Sequence, residues 1–84
     1  MFTRVEKLEF VKKFQLRLTF SNGSVRDVDL EKELYGEIFE PLKVQNEFDQ
    51  AFLNQETGTI EWPNGADFAP EFLYEIGVEV KRSA

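Results

Sequence analysis

Residues 14–23 constrain the fold more than any other stretch. Phe14, Leu16, Leu18 and Phe20 alternate with Gln15, Arg17 and Thr19, and Ser21-Asn22-Gly23-Ser24 follows. A period of two sends alternate side chains to opposite faces of a strand, so these four apolar residues share one face that must be covered. Asn-Gly readily takes the positive φ values of a type I′ hairpin turn. Val25-Arg26-Asp27-Val28-Asp29-Leu30 is therefore expected to return as the antiparallel partner.

The remaining elements follow from weaker signals. Val5, Leu8, Phe10 and Val11 break strict alternation, which predicts a first strand over 4–11 with a bulge near Lys7. Lys12-Lys13 falls at its turn. Leu30 to Tyr35 has short helical character, with Asp29 as N-cap and Gly36 as the stop. Residues 37–46 read as a turn or short 3₁₀ piece that sets Ile38, Phe39, Leu42 and Val44 on the core. Phe48 to Leu53 and Thr59 to Trp62 read as strands joined at Glu56-Thr57-Gly58. Pro63-Asn64-Gly65 is a turn, since Pro presets φ and Gly closes it. Pro70 and Glu71 suit the first turn of a helix carrying Phe72, Leu73 and Ile76, with Gly77 at its end. The expected fold is α+β, a small mainly antiparallel sheet of about five strands with one or two short helices, forming a single domain over residues 1–84.

The chain has no cysteine and no histidine. Disulfides, a thiolate nucleophile and a Cys/His zinc site are excluded. The side chain best suited to proton transfer near neutral pH is missing too. A metal would have to rest on carboxylates alone, and no cofactor is expected. No apolar run approaches the ~20 residues of a membrane helix, and the start lacks the apolar stretch of a signal peptide. The expected location is the cytoplasm, away from membranes. Nine Phe, one Trp and two Tyr supply the core, because aromatic rings bury the most area per ordered side chain.

Charge is unevenly distributed. Residues 1–26 carry a balance of +4 and residues 27–80 one of −12, within a net charge of −6. Arg4, Lys7, Lys12, Lys13 and Arg17 form a modest basic patch around Phe10 and Phe14. The acidic remainder opposes a nucleic-acid role, so no nucleic-acid partner is expected. Glu31, Glu33, Glu37, Glu40 and Glu47 form a candidate acidic surface for a basic partner.

The segment from Glu61 to Glu71 is the most specific-looking. Trp62, Pro63, Gly65, Asp67 and Glu71 are its candidate interaction or structural residues. In the structural reading Trp62 is a core aromatic, Gly65 a turn residue, and Asp67 an acceptor for free N–H groups at the following helix start. In the functional reading Glu61, Asp67 and Glu71 line a small acidic pocket. A paired-carboxylate hydrolase needs a sugar-sized cleft, which a domain this small rarely builds. Ser21, Ser24 and Ser83 lack a nucleophile-elbow context. Residues 54–58 lack the ligand spacing of a calcium loop, whose twelfth position here is Gly65. No catalytic residue is expected, and the chain is not expected to be an enzyme.

Several motifs together carry a family resemblance: Leu16-Arg17-Leu18-Thr19-Phe20-Ser21-Asn22-Gly23, Asp29-Leu30, Phe39-Glu40-Pro41-Leu42, Phe48, the run from Thr59 to Asp67, and the run from Ala69 to Tyr74. With them the chain resembles a bacterial domain of unknown function, number 2442, over roughly residues 5–76. The resemblance implies a small α+β fold with a mainly antiparallel sheet and no known catalytic residues. Some members are similar to the N-terminal part of longer proteins with a helix-turn-helix domain; residues 1–84 match no such domain, and no DNA-binding role is expected from the resemblance. Members are thought to be encoded beside another small protein, which implies a toxin–antitoxin-like pair. The leading expectation is a non-enzymatic interaction module, the acidic antitoxin-like partner of a small basic protein. The alternative is a homodimeric regulatory or ligand-sensing domain.

Overall fold

The computed structural model describes residues 3–81. Strands β1 (Val5–Lys12), β2 (Gln15–Phe20) and β3 (Val25–Asp29) form an antiparallel meander. A 3₁₀ turn (Glu31–Glu33), a second one (Glu40–Lys43) and one turn of helix, α1 (Gln45–Phe48), lead to the hairpin of β4 (Phe52–Asn54) and β5 (Thr59–Glu61). Helix α2 (Pro70–Ile76) follows, and β6 (Val78–Glu79) pairs antiparallel with β3. The sheets are four strands in the order β1-β2-β3-β6 and two strands, β4-β5. No helix among the described residues is long and apolar enough to cross a membrane.

β1 shows how pattern becomes geometry. Val5 pairs with Phe20 and Lys7 with Thr19, which leaves Glu6 as an extra residue. That bulge lets Val5, Leu8 and Phe10 all take the register of core-facing β2 residues although their spacing is three and then two. A second irregularity leaves Val11 over. Leu16, Leu18 and Phe20 are fully buried as the alternation predicts. Phe14 is a correction: it lies in the β1–β2 turn and not in the strand, at φ +57°. Its ring is buried all the same, edge-on to Phe48 with centroids 5.3 Å apart.

The Asn22-Gly23 hairpin is also a correction in detail. The loop has three residues: Phe20 N–H donates to Ser24 O at 2.8 Å and Gly23 N–H to Phe20 O at 2.9 Å. Only Gly23 takes a positive φ, +87°. Asn22 instead uses its side chain, accepting the Ser24 N–H at 3.0 Å. The Pro63-Asn64-Gly65 turn repeats the same design. Trp62 N–H donates to Ala66 O and Gly65 N–H to Trp62 O, each at 2.9 Å, while Asn64 Oδ1 accepts the Ala66 N–H at 3.0 Å.

Three more expectations are corrected. Residues 48–51 are not strand: Phe48 ends α1, fully buried, and the strand begins at Phe52. Ile38 and Val44 are exposed, while Leu42 is buried and Phe39 packs partly against the core. The tail forms a sixth strand. One hydrophobic cluster joins both sheets, α1 and α2, with Trp62, Phe20, Phe48, Leu30, Ile60 and Leu73 among its members.

Candidate functional site

The site grows outward from the core along a chain of aromatic rings. Phe48 meets Trp62 with centroids 5.6 Å apart, and Trp62 meets Phe68 edge-on at 5.9 Å. Phe68 then stacks with Phe39 at 4.6 Å and 25°, and with Phe72 at 5.7 Å and 19°. Trp62 anchors this array, only 2% exposed, with its indole N–H donating to Phe48 O at 2.8 Å. The Thr59 hydroxyl donates to Phe68 O and holds the segment after Ala66 against β5. Asn64 Nδ2 donates to Ile38 O at 2.9 Å and clamps the 36–39 loop beside it.

The outer end of the array floors a groove of about 380 Å³. Phe39, Phe68, Ala69 and Phe72 line it, together with Tyr35, Glu33 and Asp67. Tyr35 is 69% exposed. The two charged lining groups are both carboxylates, supplied by the end of the first 3₁₀ turn and by the residue that bridges back to Glu61. Such a surface offers contact area to an apolar stem and a negative field to a cation. It holds no nucleophile and no proton-transfer group other than these acids and the Tyr35 phenol.

The sequence candidates divide clearly. Trp62 is core, and Pro63 and Gly65 (φ +92°) form the exposed turn. Asp67 is a correction: its carboxylate makes no hydrogen bond among the described residues, and the N-cap of α2 is Ala69, with no side-chain cap. Asp67 stands at the groove instead. Nor do Glu61, Asp67 and Glu71 form one pocket. Glu61 is turned to its own hairpin, accepting from Asn54 Nδ2 at 3.1 Å and Thr57 Oγ1 at 2.8 Å, and Glu71 is exposed in the first turn of α2. Among the described residues no group of three or more acids is placed to hold a metal ion. Of the acidic set, Glu33 lines the groove. Glu31, Glu37, Glu40 and Glu47 are exposed, with Glu40 paired to Lys43 at 3.1 Å.

Sequence reasoning missed Tyr35, Phe39, Phe68 and Phe72 as a group. Nine phenylalanines exceed what so small an interior hides, and that surplus was the available signal. It also missed a second cluster at the far end of α2. Arg26 lies over the Tyr74 ring at 3.7 Å and donates to Tyr74 O and Gly77 O at 3.0 and 3.3 Å. Asn22 Nδ2 donates to the Tyr74 hydroxyl at 3.0 Å, and this bond is the main reason that phenol ionises below its ordinary value, with Arg26 adding to the effect.

The fold and the groove define a small antiparallel α+β domain with an aromatic, acid-rimmed surface site. The chain belongs to the family described as Protein of unknown function (DUF2442), whose model matches residues 5–79. No curated protein and no solved structure matches it significantly.

Proposed function

We propose that this chain is a non-enzymatic protein-interaction module, working in the cytoplasm as the acidic, antitoxin-like partner of a small basic protein. The reading rests on one observation: an open groove with phenylalanine rings for its floor and carboxylates as its charged groups. Protein interfaces concentrate aromatic side chains at their centre and polar groups at their rim. Tyr35, Ile38 and Val44 are exposed in the same stretch that carries Glu31, Glu33, Glu37, Glu40 and Glu47. The acidic balance of residues 27–80 favours encounter with a basic partner and disfavours other acidic surfaces.

The test begins with affinity purification of the tagged chain from its native host and mass spectrometry of what accompanies it. Binding to that protein is then compared for the native chain and for Glu33→Lys/Glu37→Lys/Glu40→Lys. The expected result is a slower association and about tenfold weaker binding, with less sensitivity to salt. A partner that binds both chains alike, with the same salt dependence, rejects the acidic face. Recovery of no basic partner rejects the module reading itself.

A further inference from the structure

We infer that the groove is an arginine subsite: it takes one arginine side chain from a basic segment, laying its stem on Phe39, Phe68 and Phe72 and setting its guanidinium between Glu33 and Asp67. This rests on the interaction reading above and names the side chain that would be read. Phe39, Phe68 and Phe72 form a continuous apolar floor, stacked at 4.6 and 5.7 Å, which a hydrated ion alone has no use for. An apolar stem carrying a charged head uses both parts of the site, since such side chains bury their methylenes and keep the charge at the edge. Neutral apolar side chains would leave the two carboxylates without a partner.

Arginine suits the groove better than lysine for two physical reasons. Its guanidinium is weakly hydrated, so it settles on an apolar floor at little desolvation penalty, whereas an ammonium holds its water. Its five N–H donors point outward in one plane and can serve carboxylates on two sides at once. Glu33 and Asp67 come from different parts of the chain, and the Asp67 carboxylate has no hydrogen-bond partner among the described residues. The arrangement is rigid at its base, because Phe68 is seated edge-on against buried Trp62 and its carbonyl accepts from Thr59. A preordered floor lowers the ordering penalty of binding one side chain.

The test uses the whole chain, ¹⁵N-labelled, titrated with three capped glycine-flanked peptides that differ in one residue: arginine, lysine or citrulline. Citrulline keeps the shape of arginine and removes its charge. The arginine peptide is expected to bind with a Kd of about millimolar order, moving amide signals of residues 33–39 and 66–72. Lysine should bind about threefold more weakly and citrulline about tenfold more weakly. Glu33→Gln/Asp67→Asn should weaken the arginine peptide about fivefold while leaving the amide spectrum of the fold in place. Equal binding of arginine and lysine, equal binding of citrulline, shifts confined to other surfaces, or no shifts at all would each overturn the subsite. The two readings fail separately. If the natural partner is lost on charge reversal while no arginine peptide touches the groove, the interaction module stands and the subsite falls.

Discussion

Gly23 sits at φ +87° with nothing within 4 Å of where a Cβ would project. A side chain there meets no neighbour, so any loss on substitution is backbone strain alone. Gly23→Ala should destabilise the domain by about 1–2 kcal/mol, and Gly23→Val more, because a β-branched residue resists this region most. Denaturant midpoints measure both, and an unchanged midpoint for Gly23→Val would show that the turn does not need its left-handed residue. Asp27 offers a different residue-scale test. It sits directly opposite Arg17 across β2 and β3, with Arg17 Nε donating at 2.8 Å and Nη2 at 3.1 Å. The hydrogen bond from Arg17 holds the Asp27 carboxyl below its ordinary value, against a smaller opposing effect of burial. A depressed folded value stabilises the fold above the unfolded pKa, about 3.9, and that contribution disappears as pH falls through the folded value. The native chain should therefore be more stable than Asp27→Asn at pH 7, by a small amount because the pair is partly solvated. The gap should close in acid. A gap that persists well below about pH 3 would mean that the asparagine harms packing and not the ion pair.

At the scale of elements, α2 is only seven residues long, and isolated helices of that length are unstable in water. Its C-terminal end is held from outside. Arg26 of β3 stacks on Tyr74 and donates to the carbonyls of Tyr74 and Gly77. Gly77 is needed there for closeness and not for conformation: its φ is −70°, yet a Cβ would stand 2.9 Å from Arg26 Cβ and 3.0 Å from Leu73 O. Arg26→Lys keeps the charge but loses the flat face and the fork. It should cost about 1–2 kcal/mol and speed hydrogen exchange at the amides of residues 73–80, with β1 and β2 unaffected. Uniform acceleration across the sheet would show that Arg26 supports the whole fold and not this helix end. The same residue shows what the sequence could and could not announce. Hairpins at Gly23 and Gly58, the bulge in β1 and the Pro70 helix start were legible because each rests on a local pattern with a local cause. The two-residue strand β6 was not, because Val78 and Glu79 become a strand only where β3 offers its edge. Phe48 read as strand because an isolated aromatic says nothing of period; Trp62 and Phe14 decide its place. Of the site, Glu33 and Asp67 were picked out by charge. The rings were not: Phe68 and Phe72 stand four apart, but Phe68 precedes α2, and Phe39 comes from a distant loop, so the three meet only through the tertiary fold.

Across the whole molecule, charge and fold together argue against nucleic acid more strongly than the net charge of −6 does alone. The six cations of residues 1–26 could by their sequence form a binding stripe, but three are already engaged. Arg17 is paired with Asp27, Arg26 serves the end of α2, and the Arg4 guanidinium donates to Gln55 O in the β4–β5 turn. Lys7, Lys12 and Lys13 remain, with Lys13 positioned 5.6 Å over the Phe14 ring and Glu9 in the same strand. Affinity for a duplex, and its sensitivity to salt, grow with the number of phosphates neutralised. Three lysines in a chain of net charge −6 offer few contacts, and the summed charge of the chain opposes approach to phosphate. The isolated chain should therefore leave random-sequence duplex unretarded at about micromolar concentration and low salt, where nonspecific binders already associate. Glu6→Gln/Glu9→Gln should change nothing, because removing two acids beside the lysines adds no new contact to the backbone. Retardation that falls steeply with added salt, or that appears on removing Glu6 and Glu9, would show that the β1 face carries a phosphate-binding surface after all.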